Sequence, residues 1–151
     1  TFAGQNMGAR QPERVSKGLG QGVLVSLFMT AALCVCQLLG MELIIRAFKL
    51  DAAAAAICRQ HLFASVLSEP IFAIYFPANG MFQGVGEGFH ATFYALMALG
   101  LRVVFAYSLY RTAFFGYTAI WWSQAMAWSL TLITCYAHFF RGKWKEKSLV
   151  S

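Results

Sequence analysis

Two long stretches of this chain contain no Asp, Glu, Lys or Arg: Gly18–Met41, about 24 residues, and Thr112–Phe140, about 29. A helix of about 20 apolar residues crosses the hydrocarbon core of a bilayer. Backbone in lipid must satisfy its own hydrogen bonds, which favours helices over open structure. Two further apolar runs, Leu62–Gly88 and Gly88–Tyr110, each carry one ionisable group deep inside, Glu69 and Arg102. Apolar residues make up 59% of the chain and charged residues only 12%, well outside the soluble globular pattern. The expected fold is an all-α integral membrane protein with four transmembrane helices.

The formal charge of +6 does not form a nucleic-acid-binding face, because the basic residues sit at the ends of the apolar runs. That placement is a topology signal. Four crossings put both termini on one side, with Arg10, Arg14, Lys17, Arg141, Lys143, Lys145 and Lys147. The other side receives Arg46, Lys49, Arg59 and Arg111. The excess predicts both termini in the cytoplasm and a multi-pass protein of the plasma membrane, or of the inner membrane if the source is bacterial.

Along the chain, residues 1–17 read as the end of a preceding helix and a loop. Gly8-Ala9 fits a helix end, and Pro12-Glu13 fits the first turn of the next helix. Residues 18–140 read as the four-helix part and 141–151 as a basic tail. Asp51 before five alanines is a good N-cap. Aromatic residues gather at both ends of the last helix, as they do at headgroup level. Met97, Met126 and the phenylalanines suit either a greasy pocket or ordinary helix packing.

Leu62–Gly88 is the unusual stretch. It holds Glu69, two prolines (Pro70, Pro77) and a ladder of Gly80, Gly84 and Gly88 that shares one helical side and permits close approach of a neighbouring backbone. Proline kinks a helix, and broken, charged helices are where transporters place binding sites. Counting from the expected outer ends, Glu69 and Arg102 both lie about 14 Å deep. Consecutive antiparallel helices are plausible neighbours, so a Glu69–Arg102 ion pair is expected, each partner offsetting the other's burial.

Enzyme chemistry finds little support. His61, His90 and His138 fall in different segments, without a Cys, Asp or Glu at ligand spacing, and no serine has a GxSxG setting. Cys34 and Cys36 point apart on a helix and cannot share a metal; no metal site and no cofactor are expected. A GxG phosphate loop is excluded at Gly84–Gly86, since no strand precedes it.

The string Thr1-Phe2-Ala3-Gly4-Gln5-Asn6-Met7-Gly8-Ala9, with Pro12 and Arg14, closely resembles a motif of the multidrug and toxic compound extrusion (MATE) transporters. Gly80–Glu87 is similar to that family's run of small residues ending in Gln-Gly-x-Gly-Asp, here Gln83-Gly84-Val85-Gly86-Glu87. Leu101-Arg102 and the closing Arg141–Lys145 string also resemble family features. The resemblance implies a partial lobe: four helices from one six-helix lobe of a twelve-helix, two-lobe antiporter. Such a protein exports cationic or amphipathic compounds in exchange for Na⁺ or H⁺. The partners implied are membrane lipid, small cationic substrates and the missing N-terminal lobe of the same polypeptide.

On that resemblance Phe72, Tyr75, Glu69 and Arg102 are candidates for the substrate or ion pathway. Gly4, Gln5, Asn6, Gly8, Pro70, Pro77, Gln83, Gly84 and Gly86 are structural or gating residues, with Gln5 and Asn6 capping a helix end and Gly4 and Gly8 allowing close contact. The tenth-helix acid that some branches use for coupling falls near Phe72 or Ala73, where no acid stands. Glu69 lies about one turn earlier. The alternative is a small four-helix membrane subunit with a structural or assembly role.

Overall fold

The computed structural model describes residues 1–146, and its elements are helical throughout, with no strand among the described residues. The helices are α1 (Phe2–Gly8), α2 (Pro12–Ala47), α3 (Ala52–Gly84), α4 (Gly88–Tyr110) and α5 (Ala119–Arg141), with short 3-10 turns at Gly116–Thr118 and Lys143–Glu146. Of the basic tail, Lys147 and its successors lie outside the described residues.

The boundaries follow local chemistry. Pro12 opens α2 in its first turn, and the Asp51 carboxylate caps α3 by accepting from the Ala54 amide at 2.8 Å. Three helices close in the same way. At α1 the Gln11 amide reaches back to Asn6 O, at α2 Leu50 to Ile45 O, and at α3 Glu87 to Phe82 O. The residue before each of these amides, Arg10, Lys49 or Gly86, takes a positive φ. This six-to-one closure satisfies carbonyls that a helix end would leave bare.

At 1.5 Å per residue α2 and α3 are each about 50 Å long, more than a bilayer core requires. Their surplus carries charge. At one end Arg59 makes two hydrogen bonds to the Glu42 carboxylate, at 2.9 and 3.1 Å. At the opposite end, called here the tail end, Lys145 meets Glu13 at 3.0 Å. Long, charge-poor helices of this kind belong in a membrane.

Three helices, α2, α3 and α4, are long and apolar enough to cross one. The expected fourth, α5, is 23 residues long but falls short in hydropathy. The cause is its Trp, Ser and Thr content. Much of that polarity is turned inward: Ser123, Ser129 and Thr131 hydroxyls donate to carbonyls of their own helix at 2.8–2.9 Å.

Neighbour order does not follow chain order. Helix α3 packs between α2 and α5, and α4 leans mainly on α5. Helices α3 and α4 join closely at the tail end, where Phe82 meets Tyr94 at a ring-centroid distance of 5.9 Å. The core is concentrated there too, around Val15, Leu19, Tyr75, Ala78, Phe82, Val85 and Trp144.

Candidate functional site

The site is set by what the two prolines remove from α3. Pro70 has no N–H, so the carbonyl of Val66 loses its helical donor. The Cys34 thiol of α2 lies 3.9 Å from that oxygen and donates to Glu69 Oε2 at 3.2 Å. Gln37, one turn along α2, donates its amide to Glu69 Oε1 at 2.9 Å. Two turns further along α3, Pro77 leaves the carbonyl of Ala73 without its helical donor, and the backbone next to it is met from the other side. There the Tyr136 hydroxyl of α5 donates to Ile74 O at 3.2 Å.

Glu69 therefore faces α2, and the expected ion pair with Arg102 is not formed among the described residues. What fails is the expected direction of Glu69 around the helix axis. Glu69 is turned toward α2, whereas Arg102 faces the opposite side of α3, the side that carries Phe72 and Asn79. The two residues should act independently: stability losses from Glu69→Gln and Arg102→Ala, read by denaturation of the purified full chain, should add to within about 0.5 kcal/mol. A larger coupling energy would restore the pair.

Arg102 instead lines a cleft of about 270 Å³ between α3, α4 and α5, together with Phe72, Tyr75, Phe76, Asn79 and Trp128. Three of the four pathway candidates, Phe72, Tyr75 and Arg102, thus share one wall. Phe72 and Trp128 bring their rings to 4.6 Å, and Phe76 packs on Phe72 at 5.4 Å. Met97 and Met126 do not line this cleft.

Asn79, Phe76 and Trp128 line the cleft but are missing from the sequence-based candidates, and Asn79 is the polar one. Its buried amide donates to the Tyr75 hydroxyl and to Ala91 O of α4, the latter at 3.3 Å, while Gln83 donates to Asn79 Oδ1 at 3.4 Å. The four-residue spacing of Tyr75, Asn79 and Gln83 was the available signal.

The motif residues divide. A Cβ on Gly84 would fall 2.9 Å from Ala3 Cβ, and one on Gly4 would fall 3.0 Å from Gly84 O, so α1 crosses α3 in backbone contact. Gly80, Gly88 and Gly8 have nothing within 4 Å of such an atom. The three-glycine contact surface is therefore corrected to Gly84 alone, and Gly8 is not a contact. Gln5 and Asn6 do not cap with their side chains. Their backbone carbonyls accept from Ala9 and Gln11, and the Asn6 amide turns back onto Phe2 O at 2.9 Å.

At the tail end the structure overturns the expectation that no histidine has a ligand-spaced acid. Glu87 stands three residues before His90 in the first turn of α4, and Oε2 of Glu87 lies 3.4 Å from His90 Nδ1. His138 arrives from α5, with Nε2 at 3.2 Å from the same oxygen. Its other ring nitrogen is 2.8 Å from the Tyr94 hydroxyl.

Helix α3, with two internal prolines and a polar seam, is crossed near its end by the short Gly-containing α1. The MatE family model matches residues 1–108. The chain belongs to the MatE family. It is accordingly a multi-pass membrane protein of a family of efflux transporters, not enzymes. The MatE match takes in the Gly4–Gly84 crossing, Glu69 and every cleft residue named above except Trp128. Comparisons with curated proteins and with solved structures find no match.

Proposed function

We propose that this chain supplies four membrane-crossing helices of one lobe of a secondary antiporter, which exports cationic or amphipathic compounds in exchange for Na⁺ or H⁺. The observation that carries the reading is the aromatic cleft of Phe72, Tyr75, Phe76 and Trp128 beside the two prolines of α3. Aromatic faces attract planar cations, and kinked helices border the cavities of alternating-access transporters. The opposing wall comes from the N-terminal lobe of the same polypeptide, with lipid around both. No prosthetic group and no nucleic acid take part.

Arg102 gives the cleft a charge preference: it favours amphipathic compounds that carry a carboxylate beside their cation. Glu69 is held by two neutral donors, the Cys34 thiol and the Gln37 amide, rather than by a cation. The basic residues at the tail end support a cytoplasmic position for that end, in a plasma membrane or a bacterial inner membrane.

The test is efflux of a planar fluorescent cation from vesicles holding the full-length protein, under an imposed Na⁺ or H⁺ gradient. Gradient-driven flux is expected, and Trp128→Ala should raise KM about tenfold, the loss of one desolvated cation–π contact. Absence of flux under both gradients would defeat this reading and leave the structural-subunit alternative.

A further inference from the structure

We propose that Glu87, His90 and His138 form a binding site for one first-row divalent cation of the zinc type, placed where α3, α4 and α5 converge. The site stands apart from the cleft and does not depend on the transport reading. Its donor atoms all lie within 4.8 Å of one another. Two of the three separations are already those of a bound ion. A tetrahedral ion that holds nitrogen and oxygen at 2.0–2.1 Å requires ligand atoms about 3.3 Å apart. Glu87 Oε2 lies 3.2 Å from His138 Nε2 and 3.4 Å from His90 Nδ1.

The ligands are fixed in place without the ion. Glu87 follows Gly86, whose φ of 81° turns the chain out of α3 and sets the carboxylate at the start of α4. The His138 ring lies flat on Phe82, with centroids 4.7 Å apart and planes within 12°. The Tyr94 hydroxyl lies 2.8 Å from His138 Nδ1 and can accept a hydrogen bond from it when Nε2 holds an ion. Such outer partners set the tautomer and orientation of metal-binding histidines. Glu87 and His138 side chains are only 7% and 15% exposed, whereas His90 is 44% exposed, which leaves an entry path.

The donor set selects the ion. Two imidazoles and one carboxylate suit zinc and its neighbours, and offer too few oxygens for calcium or magnesium. Arg141 and Lys143 line the adjoining cavity of about 480 Å³ with His90, Tyr94 and His138. Their charge opposes a free dication and favours an anionic fourth ligand, hydroxide or chloride, on the open side. A bound ion would join the end of α5 to the α3–α4 junction.

Zinc titration of the metal-free, purified full chain at neutral pH, followed by calorimetry and thermal melting, decides the matter. One zinc per chain is expected, raising Tm, with excess magnesium unable to compete. His90→Ala, a half-exposed position whose loss leaves the Glu87–His138 contact intact, should weaken binding at least about tenfold and abolish the Tm rise; Tyr94→Phe should weaken it about tenfold. His61→Ala, at the opposite end, should change nothing. Zinc affinity that is the same in wild type, His90→Ala and Tyr94→Phe, or that falls equally in His61→Ala, would overturn the site.

Discussion

Gly84→Val is expected to leave little correctly folded protein, and Gly84→Ala to lower stability by about 2 kcal/mol, within the range for overpacked sites. The first added carbon already falls 2.9 Å from Ala3 Cβ and 3.2 Å from the Gly4 nitrogen. Neither atom is the far end of a flexible side chain, so relief requires the whole of α1 to shift. That helix has seven residues and is seated by only two buried ones, Ala3 and Met7. It has little with which to resist. Gly80→Ala is the matched control. Nothing lies within 4 Å of its added carbon, and replacing a glycine inside a helix should gain about 0.5–1 kcal/mol. Thermal unfolding of the purified full chain should therefore move in opposite directions for two substitutions one helical turn apart. Equal losses at both would mean that the glycines form a continuous contact surface after all.

Phe82→Ala should cost about 3–5 kcal/mol, the usual range for removing a fully enclosed phenylalanine. Phe82 has no exposed surface and joins three helices at once, since it belongs to α3, packs on Tyr94 of α4 and stacks on His138 of α5. Lipid cannot refill a cavity at this junction, so the lost dispersion contacts go uncompensated. Phe76→Ala is the comparison, because Phe76 is 63% exposed. Its melting temperature should stay near that of wild type.

What the sequence made legible was axial. Charge spacing, the Asp51 cap and the Pro12 start fix where helices begin and end, because each acts through its own backbone neighbours. Glu69 does lie within a helix long and apolar enough to cross a membrane, as its apolar flanks suggested. Direction around the helix axis was not readable. The acid and the arginine of two adjacent, antiparallel helices were expected to meet, but Glu69 is turned to α2 while Arg102 faces the Phe72–Asn79 side of α3. The packing of α5, late in the chain, against both helices brings Trp128 to Phe72. The tail cluster was half legible: Glu87 and His90 share a helical turn, but only tertiary packing adds His138. Of the glycine ladder, the sequence shows which residues share a side. Which one meets a neighbour depends on where α1 crosses, and no periodicity encodes that.

Helix α3 packs on both α2 and α5, but its polar attachments change at the prolines. The Glu69 carboxylate ties it to α2 just before Pro70, the Ile74 carbonyl to α5 between the two prolines, and Asn79 to α4 just after Pro77. At each proline the helical ladder has given up a rung. Compliance is therefore not spread along the rod but confined to about two turns of it. A push on α2 relative to α5 would be absorbed as bending at that joint, beside the wall formed by Phe72 and Tyr75. The aromatic cleft would change width while the packed tail end stays rigid, much as the jaws of a pair of tongs move while their rivet does not.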